Sequence, residues 1–428
     1  MKLEQDVCNG SKRKQIYKCD WLWQTGYDAK TKQKGGRGMR EGWEYKKLGE
    51  LVQVLNGYAF KSSLYENQGI RVLRITNVQK GNIVDDDPKY YPLSLTDEIR
   101  NYLLKENDLL MSLTGNVGRV GLLTKEMLPA ALNQRVACLR ILSNGLNLGF
   151  LFHYLNSDKF EQDAVLSAKG IAQKNMSTEW LKDYKLPLPP ISVQQTIVSE
   201  LDKINELIRL KKEQQKDYDN LAQSIFYEMF GDPVINEKGW EFMKIGEIGT
   251  VERGAGISKK DFVEDGLPCI HYGQLHTILG PTTRHHHSCI PESLLPKYKI
   301  AHTNDVIMAI TSEDVEGSCK STAWLGNYDI VIGSDAAILH HEQDGTFLSY
   351  YTMTKAFFNE KSKYAKGFKV THISAKEIEN IPVYLPPLAL QKDFAKRIEV
   401  IEQQKENIKS TIQDLETLLA SRMQYWFD

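Results

Sequence analysis

The chain has 428 residues, 41% of them hydrophobic and 10% aromatic, which suits two or three buried cores rather than one. Its formal net charge of −1 means that bulk electrostatics of this chain alone will not hold it on a polyanion. No run of about 18 apolar residues exists to span a membrane, and the six cysteines (Cys8, Cys19, Cys138, Cys269, Cys289 and Cys319) form no Cys-x-x-Cys pair, so a cytoplasmic protein with reduced thiols is expected.

Residues 1–38 carry no hydrophobic period and contain Gly35-Gly36-Arg37-Gly38; they read as a basic, flexible N-terminal extension. From residue 39 onward the chain is written twice, with residue i matching residue i+197. Gly42-Trp43-Glu44 returns as Gly239-Trp240-Glu241, Asp108-Leu109-Leu110-Met111 as Asp305-Val306-Ile307-Met308, and Leu188-Pro189-Pro190-Ile191 as Leu385-Pro386-Pro387-Leu388. A period near 200 is too long for a solenoid, whose repeats run roughly 20–50 residues, so two whole domains stand in tandem. Residues 39–190 and 233–387 are expected to form them.

Within each copy, strand-like runs (Val72 to Ile75, Asp108 to Leu113, Val136 to Ile141, and their partners) alternate with turns marked in the first copy by glycines 57, 69, 81, 115, 118 and 121. The fold class expected is mixed α/β (α+β). Between about residues 119 and 142 the best offset becomes 200, a three-residue insertion in the second copy that is later cancelled, as loops permit.

After each Pro-Pro the period changes. Residues 191–232 place Ile197, Leu201, Ile204, Ile208 and Ile225 at alternating steps of four and three, and residues 388–428 do the same with Phe394, Ile398, Ile401, Ile408, Ile412, Leu415 and Leu419. That average of 3.5 marks a coiled-coil seam. Ser192 with Gln195 reads as a capping box at the first helix, and Gly231 and Pro233 as its stop. Each helix would be roughly 60 Å long at about 1.5 Å per residue. Because the chain runs out along one helix and returns after a second domain, antiparallel pairing is the simpler geometry.

This order resembles the specificity subunit of type I restriction–modification enzymes over residues 39–428. The likeness rests on Trp43 to Glu50, Asp108 to Gly118, Asn133-Gln134-Arg135-Val136, Gln173-Lys174-Asn175-Met176-Ser177 and the Pro-Pro-helix segments. The resemblance implies two target-recognition domains, each reading one half of a split double-stranded DNA site, with paired helices as the ruler. It implies two modification (methyltransferase) subunits docked on the helices and a restriction (ATPase/nuclease) subunit beyond them. S-adenosylmethionine, ATP and magnesium are then expected on those partners, and no cofactor and no catalysis in this chain.

The residues agree on the last point. No Asn/Asp-Pro-Pro-Tyr/Phe methyltransferase loop, no G-x-x-x-x-G-K-[ST], no H-E-x-x-H and no G-x-S-x-G is present. Base readout needs Arg or Lys for guanine and Asn or Gln for adenine, on loops that reach the groove. In the first domain those candidates are Lys61, Arg74, Asn77, Thr114, Asn116, Arg119, Gln134, Arg135, Lys169, Gln173 and Lys174; Arg135 could instead pair internally. Glycines 115 and 118 would let backbone N–H groups approach phosphates. In the second domain they are Lys259, Lys260, His271, Gln274, Ser312, Lys320, Lys366 and Lys369. Cys269, His271, His276, His285, His286, His287 and Cys289 match no usual zinc spacing, and the first copy has no histidines there, so histidines on a recognition loop are favoured over a metal. Two rival functions are the equivalent subunit of a fused methyltransferase–nuclease (type IIB-like) system and a coiled-coil scaffold that binds protein only.

Overall fold

The computed structural model describes residues 40–168, 175–293, 298–367 and 370–428, so the 1–38 extension lies outside the described residues. Pro189-Pro190 and Pro386-Pro387 end each domain, and a 40-residue helix follows each: a central helix Ile191–Phe230 and a C-terminal helix Leu388–Phe427. They run antiparallel. Glu200 pairs with Arg422, Lys212 with Glu416 (2.9 Å) and Asp219 with Lys405 (2.8 Å), so numbers fall along one helix as they rise along the other. The expected seam is the buried one: Ile197, Leu201, Ile204 and Ile208 on the central helix, and Phe394, Ile398, Ile401, Ile408 and Ile412 on the C-terminal helix. Ile225, Leu415 and Leu419 are half-buried, and Phe226, which the 3.5-residue count had passed over, is buried beside Ile225.

The capping box at Ser192 is not formed. The helix begins before it, at Ile191, with Pro190 as the flanking residue, so Ser192 already lies inside the first turn, past the position whose side chain can cap. Gln194 fastens the helix start instead. It is fully buried, its Oε1 accepts from the Asn147 N–H, and its Nε2 donates to the Gly145 and Pro189 carbonyls, all at 2.8 Å. Gln391 repeats the arrangement on the Asp344 N–H (3.0 Å) and the Pro386 carbonyl (2.8 Å).

Each domain is a set of small sheets covered by short helices. In the first, Val136–Ile141 lies between Val52–Asn56 and Leu109–Ser112, with Val120–Leu122 on the outside. In the second, Ala336–His341 lies between Gly249–Arg253 and Val306–Ala309, followed by Ser321–Trp324 and Thr282–Thr283. All these pairings are antiparallel except the last. A second sheet in each centres on Ile70–Leu73 and Leu267–Ile270. The loop between Leu109–Ser112 and Val120–Leu122, which in the second copy joins Val306–Ala309 to Ser321–Trp324, is four residues longer there rather than three, since Val120 stands opposite Met111 but Ser321 opposite Met308; one residue is returned before Val136–Ile141 and Ala336–His341, and the rest before helices Leu148–Leu155 and Gly345–Tyr351. Asp108 accepts from Arg140 (2.7 Å) where Asp305 meets His340 (2.8 Å), so even the polar ties under the sheets are duplicated.

The helices join the domains by exchanging ends. Phe427, the last residue of the C-terminal helix, packs in the first domain against Phe150 and Tyr154, with Ile197 and Leu201 in the same cluster. Phe226 and Phe230, at the end of the central helix, pack in the second domain against Phe347 and Phe394. The result is one stalk with a domain at each end, each domain holding the start of one helix and the finish of the other. Among the described residues, no helix is long and apolar enough to cross a membrane.

Candidate nucleic-acid interface

In both domains, loops from separate strands converge at one end of the sheets. Gly57 follows strand Val52–Asn56, and a Cβ there would sit 2.2 Å from the Asn133 carbonyl; Gly254 meets the Gly333 carbonyl in the same way. Only glycine permits that backbone approach. Tyr58 then bridges to Asn133, and the Gln134 N–H donates to the Tyr58 carbonyl (2.9 Å). The Leu113 N–H donates to the Arg135 carbonyl, Thr114 bridges to Asn175, and Arg119 donates to Gln79 Oε1 (2.7 Å). So the loops at 57–61, 74–79, 114–119 and 133–135 form one surface. In the second domain the Ile310 N–H donates to the Asp335 carbonyl, the Thr311 carbonyl meets the His276 ring (3.1 Å), and Lys320 donates to the His276 carbonyl (3.1 Å). Thr311–Ser312 pairs with Thr371–His372, bringing the 366–372 segment to the same rim.

On these surfaces Lys61, Asn116, Gln134 and Arg135 are exposed in the first domain, as are Lys259, Lys260 and Lys320 in the second. Among the described residues Arg135 makes no ion pair; its side chain is exposed, and its backbone N–H donates to Asn133 Oδ1 (3.2 Å). Arg74 is half-buried and bound to Asp87 through the carboxylate (3.1 Å) and the carbonyl (2.6 Å). Lys366 is exposed but paired with Glu377 (2.8 Å), whose carboxyl is held down at about 2 by that lysine and by Ser374. Lys169, Gln173, Lys174 and Lys369 lie outside the described residues.

Several expected readers are structural instead. Asn77 is 3% exposed, accepting from the Arg74 N–H (2.9 Å) and donating to the Val84 carbonyl (2.9 Å), so both ends of its amide are used in a turn. Thr114 is buried within its bridge to Asn175. His271 and Gln274 are buried and cap helix Tyr272–Thr277: His271 Nδ1 accepts from the Gly273 N–H (3.1 Å), and Gln274 Oε1 from the His271 N–H (2.9 Å). Burial also lowers the basicity of His271. Ser312 is buried with its hydroxyl at the Asp314 N–H (3.4 Å). Gly118 has φ +80°, but its place is set by packing, since a Cβ would lie 2.8 Å from the Ala164 methyl. Gly115, exposed at φ +76°, is the one of the pair facing solvent.

The cysteines and histidines of the second domain are dispersed. Cys269 contacts Ser288 (3.5 Å) and His286 contacts the Tyr328 hydroxyl (2.7 Å), and among the described residues no group of three or more His, Cys, Asp or Glu is arranged to hold a metal. Two rim residues were missed by sequence reasoning. Arg253 ends strand Gly249–Arg253, donates to the Ser334 carbonyl (2.9 Å) and leaves half its side chain exposed; Gln79 orients Arg119. Each is the last residue of its strand, Gly249–Arg253 and Val78–Gln79, where that strand meets a converging loop.

The sequence profile of the type I restriction modification DNA specificity domain matches residues 40–217 and again 237–417. The chain is 34% identical over 168 residues to the type I restriction enzyme EcoAI specificity subunit of Escherichia coli, a match covering 38% of this chain and 28% of that one. It is 29% identical over 189 residues to the MjaVIII specificity subunit of Methanocaldococcus jannaschii, covering 43% and 44%. Thus the chain spans less than half the length of these two relatives. Against the putative MjaX specificity subunit of the same organism, identity is 23% over 406 residues, covering 89% and 93%. The crystal structure of the type I restriction-modification S subunit from M. genitalium has the same fold, with TM-score 0.53, 14% identity and coverage of 91% and 97%.

Proposed function

This chain belongs to the type I restriction modification DNA specificity family, and from that premise we propose that it is the non-catalytic, DNA-reading subunit of a restriction–modification complex. Each domain reads one half of a bipartite double-stranded site through its converged loops. The stalk sets the spacer between the halves and docks two methyltransferase subunits, and a restriction subunit completes the assembly. S-adenosylmethionine, ATP and magnesium serve the partners.

The observation that carries this reading is the duplication of one loop cluster at both ends of a shared stalk. Two non-identical readers at a fixed distance suit a linear target whose groove recurs every ~34–36 Å, and a stalk of roughly 60 Å can place them a turn or so apart. The candidate contacts are Lys61, Asn116, Arg119, Gln134 and Arg135 at one end, and Arg253, Lys259, Lys260 and Lys320 at the other. Their chemistry suits guanine and adenine edges and phosphates. With a near-neutral chain, part of the affinity must come from the partners' charge.

The test is to reconstitute the chain with its methyltransferase partners and map methylated adenines on random duplexes. Replacing residues 43–190 by the corresponding domain of a relative should change one half-site and leave the other half-site and the spacer intact. Methylation or binding without sequence preference would leave a protein-binding scaffold as the function.

A further inference from the structure

The two domains differ in the length of the loop that follows Leu109–Ser112 and Val306–Ala309, and the difference is matched by one buried residue below it. In the first domain the loop from Leu113 to Arg119 is short and rests directly on helix Asp158–Ser167, where Gly118 touches Ala164. The second domain keeps the helix, with Thr354 capping Lys355–Lys361 as Ser157 caps its counterpart, and with buried Phe357 in the place of Phe160. At the position of Ala164, however, it has Lys361. That lysine is 4% exposed, and its ammonium donates to the Glu316 carbonyl (2.8 Å) and the Ser318 carbonyl (2.5 Å) of the longer loop.

We propose that Lys361 is the positioning residue of the second domain's recognition loop, Thr311 to Lys320, and thereby a determinant of which half-site that domain reads. This rests on the DNA-reading function proposed above. A buried ammonium is costly unless its protons find acceptors, and here two backbone carbonyls of the longer loop take two of the three. The loop is also braced from above: Asp314 Oδ1 accepts from the Gly317 N–H (2.7 Å), and Gly317 has no room for a Cβ, which would lie 2.3 Å from Ser312 Oγ. Between these two braces the exposed side chains are Glu313, Asp314, Glu316 and Lys320. The first domain offers Asn116 and Arg119 from the equivalent stretch, so the two loops present different chemistry to their half-sites. Carboxylates on such a loop accept from base amino groups and repel phosphates, so their placement must be set from within the protein. A short side chain under a short loop and a long cationic one under a long loop are the same solution at two lengths.

The experiment uses the full chain with its methyltransferase partners. Lys361→Met keeps the aliphatic stem and removes the donors. In hydrogen exchange, the amides of Gly317 and Lys320 should lose protection while strands Val306–Ala309 and Ala336–His341 keep theirs. In selection from duplexes randomised at both half-sites, discrimination at the second half-site should fall on the order of tenfold or more, with the first unchanged. Loop amides as protected as in the unaltered chain would overturn the positioning role. Loosened amides with an unchanged second half-site would overturn the specificity role. An unaltered complex that selects neither half-site would refute the DNA-reading premise, while the exchange result would still decide what Lys361 holds.

Discussion

Removing the last aromatic ring of the chain should loosen the domain farthest from it in sequence. Phe427 is 7% exposed and meets Tyr154 at 5.4 Å and Phe150 at 5.9 Å, edge to face with the first and tilted 66° to the second. Buried Phe→Ala changes cost about 3–5 kcal/mol, including about 0.5–1.5 kcal/mol for each good aromatic pair. A helix terminus relaxes more readily than a core strand, so the lower figure applies, about 3 kcal/mol. By hydrogen exchange monitored with mass spectrometry, Phe427→Ala should speed exchange of strands Leu109–Ser112 and Val136–Ile141 by roughly 150-fold where they open with the domain. Strands Val306–Ala309 and Ala336–His341 should be little changed. Faster exchange in the second domain instead would mean that the C-terminal helix packs on the domain it leaves, and the exchange of helix ends would be wrong.

Gln194→Ala should cost about 1–3 kcal/mol, because it leaves the buried Pro189 carbonyl and the less buried Asn147 N–H and Gly145 carbonyl without their partner; a denaturation midpoint equal to that of the unaltered chain would remove its fastening role. Glu200→Ala should weaken the first-domain end of the stalk, since its carboxylate accepts from Trp426 (2.9 Å) and Arg422 (3.1 Å); urea titration would show about 1–2 kcal/mol lost, and no loss would mean the cluster is solvent-compensated. Burial pushes the His341 imidazole down to about 4, against the pull of Asp305. The unfolded chain takes up that proton near pH 6.5, so the stability this neutral ring allows is present above pH 6.5 and is lost as pH falls toward 4, to the order of 3 kcal/mol. His341→Ile, the residue that the first domain carries at this place (Ile141), should flatten the stability–pH curve in that window; an unchanged slope would place the titration elsewhere.

The architecture was legible because it was encoded redundantly. The offset of 197 residues and the seam from Ile197 to Ile208 and from Phe394 to Ile412 are periodic signals, and burial follows period. Single polar residues were less legible. Asn77, His271 and Gln274 have the chemistry of base readers, but Asn, His and Gln side chains also serve turns and helix caps, and only the tertiary fold decides between the two uses. Ser192 misled for a related reason: the helix starts at Ile191, directly after Pro190, two residues before the start that the capping signal presumed. Gln194 and Gln391 carried a readable clue, the same residue type at the same step after both Pro-Pro pairs. The loops themselves were found, since glycines and strand ends mark them, but which of their side chains turn outward was not encoded locally.

Adding seven residues to both helices at the level of the Lys212–Glu416 pair keeps the 3.5-residue seam in phase and lengthens the stalk by about 10.5 Å. Mapping methylated adenines with the reconstituted complex should then show a spacer longer by about three base pairs, at ~3.4 Å each, between two unaltered half-sites. An unchanged spacer would contradict the stalk as the ruler between the two readers.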